Sequence, residues 1–303
     1  MTHAAIDVGT NSVKLLVGRV EGTTVTPLLH RSINTRLGEG LHASGQIAPE
    51  AADRTMAALK ELRDLATSRG AERVAAVGTL ALREAANAAE FLARGRSEAG
   101  LDIRILTGQE EARLSYQGAS SAAATDEVLA IDIGGGSTEI MQGTRTELAR
   151  SWSLDLGAVT MTEEFLRSDP PGADEMLTLS AEIRRHLLPV AARAGREGEL
   201  LGVGGTVSSI LALLRREMGE DPREITRRTV AFDTISALAI HLSLKTVAER
   251  EQMGLERGRA DIMIAGAWLL VAAMSHLEAT SLRPTAQGLR HGVLIELSSG
   301  RWA

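Results

Sequence analysis

Val128-Leu-Ala-Ile-Asp-Ile-Gly-Gly-Gly-Ser-Thr-Glu-Ile140 repeats the plan of Ala5-Ile-Asp-Val-Gly-Thr-Asn-Ser-Val13. In each stretch an apolar run reaches an Asp, a glycine-containing turn follows, and a hydroxyl residue leads into a second apolar run. Solenoid repeats recur every ~20–50 residues, and this period is longer. The repeat is therefore read as a duplication at domain scale, giving two similar α/β domains: 1–117 plus about 287–303, and 118–286.

The surrounding pattern fits that plan. Around the first copy, Ala4–Asp7, Ser12–Val20 and Val25–Ile33 are rich in Val, Ile and Leu and separated by glycine turns, which predicts an antiparallel meander. Ala52, Met56, Leu59, Leu62 and Leu65 recur at helical spacing, predicting a helix over Pro49–Arg69 that stops at Gly70. Strands follow at Arg73–Val77 and Ile103–Leu106, with a helix over Leu80–Ala93 between them. Glu110–Tyr116 reads as helix, and the small residues Gly118–Thr125 as a helix end and connector. Beyond the second copy the expected elements are a strand at Leu200–Val203 and helices at Thr206–Met218, Asp233–Glu251, Arg259–Ala279 and Gly288–Leu297.

The bulk properties exclude several classes of function. The 303 residues are 44% apolar and 24% charged, the composition of a globular protein. A net charge of −6 argues against binding nucleic acid through a general basic surface, though it allows a local cationic cleft. The absence of cysteine removes disulfides, thiolate metal sites and cysteine nucleophiles. No secretory leader is visible at the start, and the longest apolar stretch, Ile262–Met274, is interrupted by Gly266 and too short to span a bilayer. The expectation is a cytoplasmic protein without a membrane or nucleic-acid partner. His3, His30, His42, His186, His241, His276 and His291 show no metal-ligand spacing and read as structural or exposed.

Three glycine turns each follow an apolar strand: Asp7-Val-Gly-Thr-Asn-Ser12, Asp132-Ile-Gly-Gly-Gly-Ser-Thr138 and Val203-Gly-Gly-Thr-Val-Ser-Ser209. Glycine lets the backbone approach a ligand closely, and the exposed N–H groups form an anion pocket without side-chain charge. One such turn is as readily a simple chain reversal. Three together, two of them opened by an Asp, point to a phosphate cradle. An Asp at a strand end is costly to bury without a partner, and beside phosphate the usual partner is Mg²⁺.

The two Asp-Gly turns and the later Gly-Gly-Thr turn resemble the phosphate-binding elements of the acetate kinase, sugar kinase and actin superfamily. Within it, Gly78-Thr-Leu-Ala-Leu-Arg-Glu-Ala-Ala-Asn87, Leu106-Thr-Gly-Gln-Glu-Glu-Ala-Arg113 and Asp132-Ile-Gly-Gly-Gly-Ser-Thr-Glu139 resemble the exopolyphosphatase/guanosine pentaphosphate phosphatase (Ppx/GppA) family. Arg36-Leu-Gly-Glu-Gly40, Arg259-Ala-Asp261 and Leu289-Arg-His-Gly292 are smaller echoes, so the likeness runs over the whole chain. It implies two ribonuclease H-like (actin-like ATPase) domains with a cleft between them. It also implies hydrolysis of a phosphoanhydride in inorganic polyphosphate or guanosine pentaphosphate, and a homodimer.

The roles it implies fall on particular residues. Glu111 is the general base that activates water; read without the likeness, it is one more charge on a helix face. Asp132 and Glu139 hold Mg²⁺ or Mn²⁺, joined by Asp7 at the first turn. Asn11, Ser12, Gly134, Gly135, Gly136, Ser137, Gly204, Gly205 and Thr206 supply phosphate contacts. Arg83 offers a bidentate fork to phosphate, and Lys14 is a second cation. Two departures stand out. Larger members carry helical domains with a His-Asp motif, and no His-Asp pair occurs here, so the chain looks like the short form and is expected to favour short polyphosphates. The usual Arg-Glu-Gly is here Arg290-His291-Gly292.

The turns alone do not separate a hydrolase from a small-molecule kinase of the same superfamily, or from a non-catalytic scaffold whose closure signals binding. The Glu110-Glu111 pair favours the hydrolase. Hinges near Gly118–Thr125 and Pro284–Gly288 would serve domain closure.

Overall fold

The computed structural model describes residues 1–190, 199–219 and 228–302. Its chain divides into two compact units, Met1–Ser121 with Gln287–Ala303, and Ala122–Ala286.

The first unit begins with β1 (Thr2–Val8), β2 (Ser12–Glu21) and β3 (Thr24–Asn34). There follow α1 (Leu41–Ser44), α2 (Pro49–Ser68), β4 (Arg73–Gly78), α3 (Leu80–Glu84), α4 (Ala88–Ala99), β5 (Ile103–Ile105) and α5 (Gly108–Ser120). Its sheet has the order β3-β2-β1-β4-β5, antiparallel on the β3 side and parallel on the β5 side. Because side chains alternate along a strand, Ala4, Ile6 and Val8 of β1 meet Met56, Leu59 and Leu62 of α2, while Ala5 joins the opposite core containing Leu114 of α5. Asp7 shares the parity of Ala5 and so lies on the α5 side of the sheet.

The second unit repeats the arrangement. It contains β6 (Glu127–Ile133), β7 (Thr138–Thr144), β8 (Leu148–Leu154), α6 (Ala158–Phe165), α7 (Ala173–Leu187), β9 (Glu199–Val203) and α8 (Gly204–Met218). After these come β10 (Val230–Ala231), α9 (Phe232–Ser243), α10 (Val247–Gln252), α11 (Arg257–Ala260), α12 (Met263–His276) and β11 (Ser281–Pro284). The sheet order β8-β7-β6-β9-β11 is that of the first unit strand for strand, extended at its end by β10. The last helix, α13 (Leu289–Ser298), belongs to the first unit and packs with α5 on the Ala5 face.

Three expected helices are shorter than their apolar periodicity suggests, and in each case a polar side chain bonds the backbone at the interruption. The helix expected over Leu80–Ala93 breaks at Asn87, whose side chain accepts from the Ile47 amide at 2.9 Å and donates to its carbonyl at 3.0 Å. The one expected over Asp233–Glu251 ends at Ser243 and restarts after Thr246, where Thr246 and Glu249 form a capping box. The one expected over Arg259–Ala279 begins at Met263, following an Asp261 side chain that accepts from the Ile262 amide at 3.0 Å. Gly118–Thr125 is a helix end and connector as expected: α5 ends at Ser120 and turns lead to β6, and a Cβ at Gly118 would lie 2.2 Å from the Gly288 carbonyl oxygen. The second unit accordingly starts at Ala122 rather than 118.

Candidate active site

The two copies of the opening motif fold into the same turn. In the first, the Gly9 amide donates to the Ser12 carbonyl at 3.1 Å; in the second, Gly134 donates to Ser137 at 2.9 Å. Each turn leaves its Asp opposite the residue that follows the turn: Asp7 faces Lys14, and Asp132 faces Glu139. Residues in register on an antiparallel pair project to the same side. The duplicated fold thus presents one carboxylate–ammonium pair and one carboxylate–carboxylate pair.

In the first unit, Lys14 Nζ lies 3.9 Å from Asp7 Oδ2, so both sequence-predicted groups are engaged with each other. The turn is pinned from behind: Thr10 accepts from the Gly38 amide, and Asn11 accepts from the amides of Thr35 and Arg36. Asn11 and Ser12 are buried in it.

Glu110 and Glu111 differ in role although adjacent. Glu110 is the third residue of α5 and closes a capping box with Thr107. The Thr107 backbone and hydroxyl, with Arg104, hold its carboxyl below the usual range. Glu111 is only 8% exposed, and its Oε2 lies 3.2 Å from Arg83 Nη1, which also donates to the Leu106 carbonyl at 2.9 Å. Arg83 and Glu111, taken from separate motifs, are brought together, and neither lies on a solvated helix face.

In the second unit the carbonyls of Gly134 and Gly135 are occupied by the first amides of α6, from Ala158 at 3.0 Å and Val159 at 2.7 Å. A Cβ at Gly157 would sit 2.1 Å from the Gly135 carbonyl oxygen, so only glycine lets α6 approach this closely. Among the described hydrogen bonds, the amides of Gly135, Gly136 and Ser137 donate to no protein acceptor. That is the arrangement an anion-binding nest requires.

Glu139 is 2% exposed and accepts from Ser153 Oγ at 3.0 Å. The third turn adjoins the second, since a Cβ at Gly204, whose φ is +94°, would fall 2.5 Å from Asp132 Oδ1. Gly204 and Gly205 form the first turn of α8, where backbone N–H groups have no helical partner. Thr206, in the same first turn, is buried, with its side chain packed on Gly266 of α12. Arg259, by contrast, enters the site without having been singled out. A Cβ at Gly205 would lie 2.4 Å from Arg259 Nη1, and burial lowers the pKa of this guanidinium against the pull of Glu256 and Asp261. Its only signal in the sequence is the Arg259-Ala-Asp261 echo.

Two carboxylates directly opposite one another destabilise a strand pair unless a cation lies between them or beside them. Among the described residues no cluster of three or more His, Cys, Asp or Glu side chains gathers. Two carboxylates fit a hard cation such as Mg²⁺, which commonly takes one or two protein ligands and completes its shell with water and phosphate oxygens.

The Ppx/GppA phosphatase family model matches residues 16–299. The chain belongs to the Ppx/GppA phosphatase family. Exopolyphosphatase 2 of Mycobacterium tuberculosis is 35% identical over 278 residues, 87% of this chain and 87% of that one. Exopolyphosphatase 1 of Mycobacterium bovis is 30% identical over 304 residues, covering 97% and 88%. The Ppx/GppA family member of Aquifex aeolicus superposes with a TM-score of 0.81 at 29% identity, over 100% of this chain and 99% of the other. Like other Ppx/GppA proteins, this one is a phosphohydrolase, and its two units are actin-like, ribonuclease H-like domains. Where the Ppx/GppA likeness leads one to expect a Glu in α13, the buried His291 lies with its ring 6.1 Å from that of His30. No described helix is long and apolar enough to cross a membrane.

Proposed function

We propose that the protein removes terminal orthophosphate from inorganic polyphosphate, with short chains favoured, using Mg²⁺ at Asp132 and Glu139 and water activated by Glu111. The observation that carries this reading is the Asp132–Glu139 pair, two carboxylates in register beside a turn in which the Gly135, Gly136 and Ser137 amides have no acceptor among the described hydrogen bonds. A phosphate chain with its cation satisfies both halves at once. When bound, Mg²⁺ supplies charge neutralisation at the phosphate oxygens.

The remaining chemistry belongs to side chains. Glu111 takes a proton from water as the water oxygen bonds to the terminal phosphorus and the bridging P–O bond breaks, leaving orthophosphate and a chain one unit shorter. Arg83 holds the Glu111 carboxylate and offers its second nitrogen to phosphate. The amides of Gly135, Gly136 and Gly205 contact the chain, with Arg259 as a further cation.

Guanosine pentaphosphate stands second because a base needs a stacking wall. Trp268 donates to Ser243, Trp302 lies under Arg104 and Tyr116 is buried. Homodimer formation rests on the family likeness alone. The test is orthophosphate release with Mg²⁺ from polyphosphates of several lengths, guanosine pentaphosphate and ATP. Glu111→Ala is expected to lose roughly 10²–10⁴-fold in rate, the worth of a general base. Release confined to ATP, or an unaffected variant, overturns the reading.

A further inference from the structure

Arg250 is 2% exposed, yet nothing proposed above uses it. Its guanidinium gathers acceptors from three places. Nε donates to the carbonyls of Lys245 at 3.2 Å and Thr246 at 3.3 Å, Nη2 to Asp169 Oδ1 at 2.9 Å, and Nη1 to the Ala260 carbonyl and, at 3.5 Å, that of Asp261. Burial lowers its pKa, with Asp169 and Asp261 opposing. A buried cation of this kind contributes little to net stability compared with an apolar side chain of similar volume, so its value lies in what it fixes.

What it fixes is the end of α11. Ala260 and Asp261 carry the orphan carbonyls of that one-turn helix, and Ala260 directly follows Arg259. Asp169 fastens the other end of the same strap by accepting the Val247 amide on both oxygens at 2.9 Å. The strap is also seated on α8 twice, at Gly205 by Arg259 and at Gly254 by Arg216. A four-residue helix has no rigidity of its own. Without Arg250, the peptide after Arg259 is free to turn, and the guanidinium loses its place on the first turn of α8.

We infer that Arg250, anchored by Asp169, is a positioning residue that holds Arg259 against the Gly204–Gly205 turn for a phosphate chain. This rests on the proposed reading of that turn as a phosphate site.

The experiment is a double-mutant cycle read by tripolyphosphate binding in calorimetry and by KM and kcat on polyphosphate. It uses Arg250→Lys, Arg259→Met and the double variant, with thermal midpoints as a check on folding. Arg250→Lys keeps the charge but cannot span the acceptors; it is expected to weaken binding by roughly tenfold, about one charge-assisted hydrogen bond. kcat should change far less than KM. On top of Arg259→Met the same change should add almost nothing, because the two act through one contact. A merely structural Arg250 would give losses that add, and that result overturns the inference, as does unchanged binding in Arg259→Met. If Arg250→Lys fails to fold, Asp169→Asn, equal in size, takes its place in the cycle. A parent that binds tripolyphosphate but releases no orthophosphate sinks the hydrolase reading while the binding cycle still decides this one.

Discussion

The two glycine turns differ most in charge at the residue facing the Asp. Both follow a strand ending in Asp, both close with the same amide-to-carbonyl bond, and both lead into a paired strand. In the first unit the facing residue is Lys14, and the Asp7 charge is answered within the protein. In the second it is Glu139, and the charge is doubled. The fold was duplicated together with its turn, while the charge facing the Asp was not. On the proposed reading the metal is held at the second turn, while Asp7, also expected from the sequence among the metal ligands, lies beside Lys14.

The largest effect should come from erasing that difference. Glu139→Lys gives the second turn the pairing of the first, and an internal salt bridge then replaces the cation. Several kcal/mol of transition-state stabilisation depend on such an ion, so polyphosphate hydrolysis should fall by about 10³-fold or more and lose its dependence on added Mg²⁺. Retention of Mg²⁺-stimulated turnover would show that Asp132 and Glu139 are not the ligands.

The units should also separate in mild acid. His3, His30 and His291 all lie in the first unit, and burial lowers the pKa of each. His291, next to Arg290 and His30, is pushed from an ordinary 6.5 down to about 3. Between those values the unfolded chain binds a proton that the folded one refuses, so stability is full above pH 6.5 and falls as pH drops toward 3. For His291 alone the loss between pH 7.5 and pH 5 is about 2 kcal/mol. Hydrogen exchange read by mass spectrometry should show the first unit opening at pH 5 before the second, and His291→Met should remove most of the difference. Equal loss in both units would leave His291 without this effect.

The architecture was legible because the repeat states it twice. An Asp at a strand end, a glycine turn and a resumed apolar strand fix the centre of each sheet, and alternation assigns the faces. Helix limits were less legible, because Asn87, Thr246 and Asp261 interrupt the helical pattern through side-chain bonds to backbone that apolar periodicity does not register. In the site, Glu111 and Arg83 could be named from motifs, but their 3.2 Å contact depends on α3 and α5, which are distant in sequence. Arg259 was missed because its place on Gly205 depends on a strap whose anchor, Arg250, looks in sequence like any helix-surface arginine.

The smallest expected effect is the reverse exchange. Lys14→Glu sets two carboxylates opposite each other in the first unit, imitating the second turn on a scaffold that already has its geometry. Like charges directly opposite on a strand pair cost a fraction of a kcal/mol to about 1 kcal/mol, more where burial weakens screening, and Asp7 is 7% exposed. The variant should therefore unfold at a lower temperature by a few degrees, and millimolar Mg²⁺ or Mn²⁺ should recover part of that loss, as it should not in the parent. Recovery would mean that facing carboxylates are enough to make this turn a cation site. Loss without recovery would place the distinction elsewhere in the second unit.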